Sequence, residues 1–255
     1  MDDLRTWAGK LGFRAIEANW NEYADAPWLK GLLESEQKER DARGLQKRIK
    51  DASVGNFKPM SEFDWNWPKE IDRDQIEDLF SLEFITKPEN IIFIGTNGLG
   101  KSMIAQNLAY QAAVRGHSTL FVKASKMLEL LSQCPEGIRR KNLLQKFCRV
   151  ALLIIDEVGY MNYSDKYADL LYEVINGRYQ KKATIVTTNK IFKAWGDIFP
   201  SAACVVTLVD QLVHYSEIVT ITGKSWRHHE AEERAAEKEK QRQQKRVNAG
   251  KRKTS

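Results

Sequence analysis

The sequence predicts an α/β protein: a parallel sheet flanked by helices, preceded by a small helical N-terminal domain and followed by a basic tail. Three observations lead there. Apolar strands alternate with amphipathic helices from about residue 73. A glycine-rich run, Gly95-Thr96-Asn97-Gly98-Leu99-Gly100-Lys101-Ser102, comes after one of those strands and opens a helix. The formal charge of +6 equals the six cations of residues 241–255, a stretch with no acidic residue.

The N-terminal residues 1–60 read as helical: Trp7, Leu11 and Phe13 open the stretch, and Pro27 suits a first helical turn. Trp28, Leu29, Leu32 and Leu33 recur at helical spacing, and Ser53, Gly55 and Pro59 mark the stop. Residues 61–72 form an aromatic linker, Phe63-Asp64-Trp65-Asn66-Trp67-Pro68, too apolar for a free tether and expected to dock on the α/β domain. Over 73–228, helices are expected at 74–84, 102–115, 126–131, 138–147, 167–179 and 205–212. Strands are expected at 91–94, 119–122, 151–155, 183–188 and 218–222. Alternation of this kind implies parallel strands with helices on both faces. Residues 229–255 hold one large aliphatic, Val247, and form a disordered or solvated-helical tail.

Composition narrows the class. The chain has 255 residues, 42% hydrophobic and 29% charged, enough for a core without covalent staples. Three cysteines, none in a C-x-x-C pair, disfavour a disulfide scaffold or zinc ribbon and suit a reducing compartment. No secretory signal is read at the start, and the longest apolar run, 150–155, is too short to cross a bilayer. A cytoplasmic protein with no membrane partner is expected.

The glycine run matches G-x-x-x-x-G-K-[ST]. A phosphate chain needs several backbone N–H groups turned inward, which glycines permit, and a helix N-terminus that favours anions. Lys101 would reach the β- and γ-phosphates and Ser102 would ligate Mg²⁺. Strand 150–155 ends in Asp156-Glu157, the Walker B form: Asp156 for Mg²⁺, Glu157 for the attacking water. A third strand ends at Asn189, placed to orient that water or touch the γ-phosphate. Trp226 is read as a core residue, with stacking on a base as the alternative.

These residues resemble the AAA+ ATPases of the IstB/DnaC-like family, helper ATPases of bacterial insertion sequences and related helicase loaders. The likeness spans roughly 1–228. Beyond the P-loop and Walker B it includes Leu32-Leu33-Glu34-x-Glu36-x-x-x-Arg40, Phe63-Asp64, Asp156-Glu157-Val158-Gly159, Arg178-Tyr179, Thr187-Thr188-Asn189 and Gly223-Lys224-Ser225-Trp226-Arg227. The resemblance implies ATP and Mg²⁺ as cofactors, ATP hydrolysis, homo-oligomerisation on duplex DNA, target selection and stimulation of a partner transposase. A helicase loader is the alternative. It also implies Asn189 as sensor I and Arg227 as sensor II. Where the family shows Asp-Arg-Leu, this chain reads Asp210-Gln211-Leu212, so slow hydrolysis is expected, or an arginine finger supplied from elsewhere, with Arg178 the candidate.

Two internal basic groups are candidates for sequence-tolerant DNA contact. Arg40, Arg43, Lys47 and Lys50 fall within about an 80° arc of one helix face. Arg139, Arg140 and Lys141 lie between the second and third strands. For each, an ordinary solvated surface is the competing reading, and so it is for the tail. No base-reading signature accompanies any of them.

Overall fold

Four helices open the chain: α1 (Asp2–Lys10), α2 (Arg14–Ala18), α3 (Trp20–Tyr23) and α4 (Leu29–Ala52). The computed structural model describes residues 2–160, 164–199 and 204–251, and the chain divides into two units, 1–51 and 52–255. In the first unit Ala8, Leu11, Leu29 and Leu33 are buried, with Leu4, Trp7, Phe13 and Ile16 packed against them. Leu29 and Leu33 are four residues apart and share one face of α4. Trp28 and Leu32, expected beside them from their spacing, are 52% and 39% exposed. Each sits one residue back, about 100° around the helix from the buried pair. From Glu34 to Asp51 α4 buries no residue. Its surface carries pairs such as Arg40–Glu36 (2.5 Å) and Arg43–Glu39 (3.5 Å), which support a solvated helix by a few tenths of a kcal/mol each.

In the second unit, α5 (Arg73–Leu79) and α6 (Glu83–Thr86) lead into β1 (Asn90–Ile94). One helix was expected over 74–84. Leu82 adopts φ 66°, a left-handed conformation that interrupts the ladder and leaves two short helices. The chain continues through α7 (Lys101–Val114), β2 (Thr119–Lys123), α8 (Ala124–Gln133), α9 (Ile138–Arg149) and β3 (Leu152–Val158). Then come α10 (Asp165–Arg178), β4 (Ala183–Thr188), α11 (Trp195–Ile198), α12 (Val205–Val213), β5 (Ser216–Thr220) and α13 (Trp226–Lys251). The five strands lie in the order β2-β3-β4-β1-β5 and every pairing is parallel.

Burial on both faces explains the apolar strands. Ile92, Leu153, Ile155 and Val186 pack with Met127 and Leu131 of α8, Leu171 and Val174 of α10, and Leu208 of α12. Helix α7 packs across β2, β3 and β4, burying Ile104, Leu108 and Ala112. Strand β3, expected to end at Ile155, runs on through Asp156, Glu157 and Val158, so both carboxylates belong to the strand itself.

The segment after α4 is docked on this unit, as its apolar content predicts. Ser53 and Gly55 take left-handed φ values of 53° and 68° and stop the helix. The Met60 N–H then donates to Asn107 Oδ1 (3.1 Å), and Asn107 Nδ2 donates to the Lys58 carbonyl (2.9 Å). Further along, the Trp67 indole N–H donates to the Lys224 carbonyl (2.8 Å) and the Lys69 N–H to that of Thr222 (2.8 Å). Among the described residues no helix is long and apolar enough to cross a membrane.

Candidate nucleotide site

Parallel strands deliver their C-terminal ends to one edge of the sheet, where ligands of open α/β folds collect. The loop 95–100 leaves β1 there and turns into α7. Gly98 and Gly100 hold φ values of 79° and 88°, a region an L-residue enters at a cost of about 1–2 kcal/mol. Space is equally demanding: a Cβ at Gly98 would overlap the Ser225 hydroxyl, and one at Gly100 would overlap the Phe63 ring. Gly100→Ala should therefore destabilise the fold by about 2–3 kcal/mol, from the left-handed alanine and the crowding together. Urea unfolding is expected to show part of that loss recovered in Gly100→Ala/Phe63→Ala. An unrelieved double variant would exclude the Phe63 contact as a cause.

Lys101 is buried, and its ammonium donates to the carbonyl oxygens of Gly95 (2.6 Å) and Thr96 (2.7 Å). Burial pulls its pKa down to about 8, with Arg227 pushing the same way and Asp156 and Glu157 opposing. An added polyanion would reverse that imbalance.

Ser102 and Asp156 are brought together from α7 and β3: the Ser102 hydroxyl donates to Asp156 Oδ1 at 2.7 Å. Thr187 of β4 donates to the same oxygen at 2.6 Å, and its own oxygen accepts the Glu157 N–H at 2.9 Å. Burial raises the Asp156 pKa, and the two hydroxyl donors pull it back. A hydroxyl and a carboxylate side by side form an all-oxygen donor set of the kind Mg²⁺ takes. Glu157 sits at φ 63°, and its carboxylate pairs with Lys123 at 2.8 Å.

Around these groups lies a cleft of about 380 Å³. Gly98–Ser102, Glu157, Tyr160 and Arg227 line it, together with Phe57, Phe63, Trp67 and Trp226. The core placement expected for Trp226 is corrected. The ring is half-buried, lines the cleft and meets Trp67 edge-on at 5.2 Å, and the Trp226 backbone N–H donates to the Gly98 carbonyl (3.0 Å), tying the residue to the loop. A glycine cradle, a buried ammonium, a hydroxyl–carboxylate pair and an aromatic wall suit a nucleoside triphosphate.

The model of the IstB-like ATP binding protein family matches residues 6–234. The chain belongs to that family. It is 32% identical to a Geobacillus stearothermophilus protein named as ATP-binding for insertion sequence IS5376, across 94% of this chain and 95% of that one. It is also 32% identical to the corresponding IS232 protein of Bacillus thuringiensis subsp. berliner, across 81% and 83%. Among solved structures it resembles the DnaC helicase loader, with a TM-score of 0.51 and 19% identity over 69% of this chain and 99% of that one. The likeness is one of fold, that of the AAA+ ATPases.

This IstB-like chain gathers at one cleft Gly98, Leu99, Gly100, Lys101, Ser102, Glu157 and Arg227 from the predicted set, with Asp156 bonded to Ser102. Gly95 and Thr96 hold the Lys101 ammonium through their carbonyls; Asn97 lies within the same loop, exposed. Strand β4 ends at Thr188, one residue short of the strand end expected at Asn189; Asn189 follows it, half-buried, and its Oδ1 is buried without a hydrogen-bond partner among the described residues.

Arg178 does not reach the cleft or the surface, and the relocated-finger expectation is corrected. It is 1% exposed. Its guanidinium donates to the carbonyls of Phe147 (2.7 Å), Cys148 (3.3 Å), Val150 (3.0 Å) and Ala183, and to Thr184 Oγ1 (3.0 Å). A cation so placed satisfies the orphan carbonyls at the end of α9. Gln211 donates from Nε2 to Asn176 Oδ1 (3.0 Å).

Arg40, Arg43, Lys47 and Lys50 lie along α4, none of them buried, and Arg40 and Arg43 pair with Glu36 and Glu39. Arg139 and Lys141 are exposed in the first turn of α9, whereas Arg140 pairs with Glu136 at 2.9 Å. Thr187, Tyr160 and Lys123 are the site residues that sequence reasoning missed. For Thr187 the signal was weak, since it is one of three threonines in the strand beside the Walker B strand. The other two depend on strand register and on the bend after β3.

Proposed function

We propose that the chain binds Mg·ATP in this cleft, hydrolyses it slowly, and uses ATP to oligomerise on duplex DNA, where the assembly selects target sites and stimulates a partner transposase. The supporting observation is the convergence of Ser102, Asp156 and Thr187 beneath the glycine loop, with Glu157 and Arg227 lining the same cleft. Ser102 and Asp156 would hold Mg²⁺, which would neutralise charge on the β- and γ-phosphates. Lys101 and Arg227 add positive charge along the phosphate chain. Glu157 orients the attacking water, Asn189 acts with it as sensor I, and the aromatic wall excludes bulk solvent. The basic stripe of α4 and the group at Arg139–Lys141 supply phosphate contacts that repeat in every subunit, so modest groups sum to strong binding. Insertion-sequence relatives aligned over nearly the whole chain favour this reading over helicase loading.

Slow turnover is the consequence of Gln211. A neutral amide cannot match a guanidinium against developing phosphate charge, and an arginine finger contributes about 10³–10⁵ in rate where it operates. ATP hydrolysis measured with saturating duplex DNA tests both points. Duplex should stimulate turnover, and Gln211→Arg should raise it at least tenfold further. Turnover indifferent to duplex, with Gln211→Arg no faster, would contradict the reading.

A further inference from the structure

The backbone at the end of β3 is bent twice, and the bend brings one more side chain over the cleft. On a regular strand, residues three apart face opposite sides. With Glu157 lining the cleft, Tyr160 would then point away from it. The observed pairing with β4 jumps from Ile155↔Val186 to Val158↔Thr188, so β3 carries one extra residue there, a bulge. Glu157 and Gly159 take left-handed φ values of 63° and 86° within the same turn. Glu157 and Tyr160 both line the cleft as a result, together with Gly100, Lys101 and Arg227. Left-handed geometry at a non-glycine residue costs on the order of 1–2 kcal/mol and persists where the surroundings enforce it. The second bend is enforced too: a Cβ on Gly159 would stand 2.8 Å from Ile198 Cδ1.

Tyr160 is suited to donate a hydrogen bond. Among the described residues its phenol has no hydrogen-bond partner, whereas the nearby Ser102 hydroxyl is committed to Asp156. The charges that act on the phenol are Glu157, Asp156 and Arg227, the groups that surround the Mg²⁺-and-phosphate chemistry and not the aromatic wall. Burial and the two carboxylates keep it protonated through neutral pH.

We propose that the Tyr160 hydroxyl donates a hydrogen bond to the terminal phosphate of a bound nucleoside triphosphate, and so helps the cleft to tell a triphosphate from a diphosphate. The proposal rests on the reading of the cleft as a nucleotide site. Titration of the full-length chain with ADP and with a non-hydrolysable ATP analogue, both with Mg²⁺, tests it. Tyr160→Phe keeps the ring and removes only the donor. It should weaken the ATP analogue about tenfold, as expected for a hydrogen bond to a charged acceptor, and leave ADP unchanged. Tyr160→Ala should lose at least as much selectivity. Equal weakening of both nucleotides in Tyr160→Phe, or no change in either, would overturn the hydroxyl's role. Wild-type chain that binds neither nucleotide would overturn the underlying reading as well.

Discussion

Replacing Arg178 with methionine is expected to cost about 3–5 kcal/mol of stability, the scale of breaking a buried hydrogen-bonded charge, while leaving the chemistry of ATP hydrolysis intact in whatever fraction folds. Arg178 is buried and each of its three guanidinium nitrogens donates within its own subunit. Methionine fills part of the volume but donates nothing. The carbonyls of Phe147, Val150 and Ala183 would then be buried and unsatisfied, at about 1–3 kcal/mol for each group that water cannot reach. The end of α9 would come loose from the start of β4. In a chain of this size the melting temperature should fall by about 10 °C or more. Calorimetry paired with turnover per folded molecule separates the readings. A finger would give the opposite pattern, with normal melting and a turnover reduced by orders of magnitude. That pattern would reinstate Arg178 as a group acting on a neighbour's nucleotide.

Lys101→Ala should behave in the reverse way. Burial penalises the ammonium, as its pKa of about 8 records, so removing it should change stability by no more than about 1 kcal/mol. Nucleotide affinity should drop by about 10²–10³, because a largely desolvated cation paired with phosphate is worth several kcal/mol. Thermal melts with ATP make the contrast visible. A hundredfold excess over Kd stabilises the wild type by about 2.7 kcal/mol, and Lys101→Ala should show almost none of that shift. An unfolded Lys101→Ala would instead make the lysine a structural residue of the loop.

Much of this site was legible because its chemistry demands particular residue types in one unbroken run. The run 95–102 needs glycines where the backbone turns and a lysine and a hydroxyl where phosphate and metal sit. An apolar strand closing on Asp156-Glu157 is equally local. Tyr160 reaches the cleft, Thr187 reaches Asp156 and Lys123 reaches Glu157 through sheet register and a bulge, which exist only once β2, β3 and β4 are paired. Arg178 shows the converse error. A guanidinium next to a familiar motif reads as catalytic, yet five nearby acceptors, four of them main-chain carbonyls, decide its place, and no side-chain pattern announces carbonyls. Trp226 misled for a similar reason: a large aromatic signals burial, and here the surface it covers is the wall of a cleft. In the fold, the sheet and its helices are set by periodicity. The break at Leu82 is not, since nothing in the run 74–84 marks a left-handed residue.

In the function proposed for this chain, ATP in the cleft drives assembly on duplex DNA. Electron microscopy of the full-length chain with linear duplex DNA and a non-hydrolysable ATP analogue, alongside Lys101→Ala under the same conditions, tests it most directly. Ordered oligomers on the duplex are expected for the wild type and bare DNA for the variant. Wild-type chain that stays monomeric with both ligands present, or that coats the duplex equally well as Lys101→Ala, would contradict it.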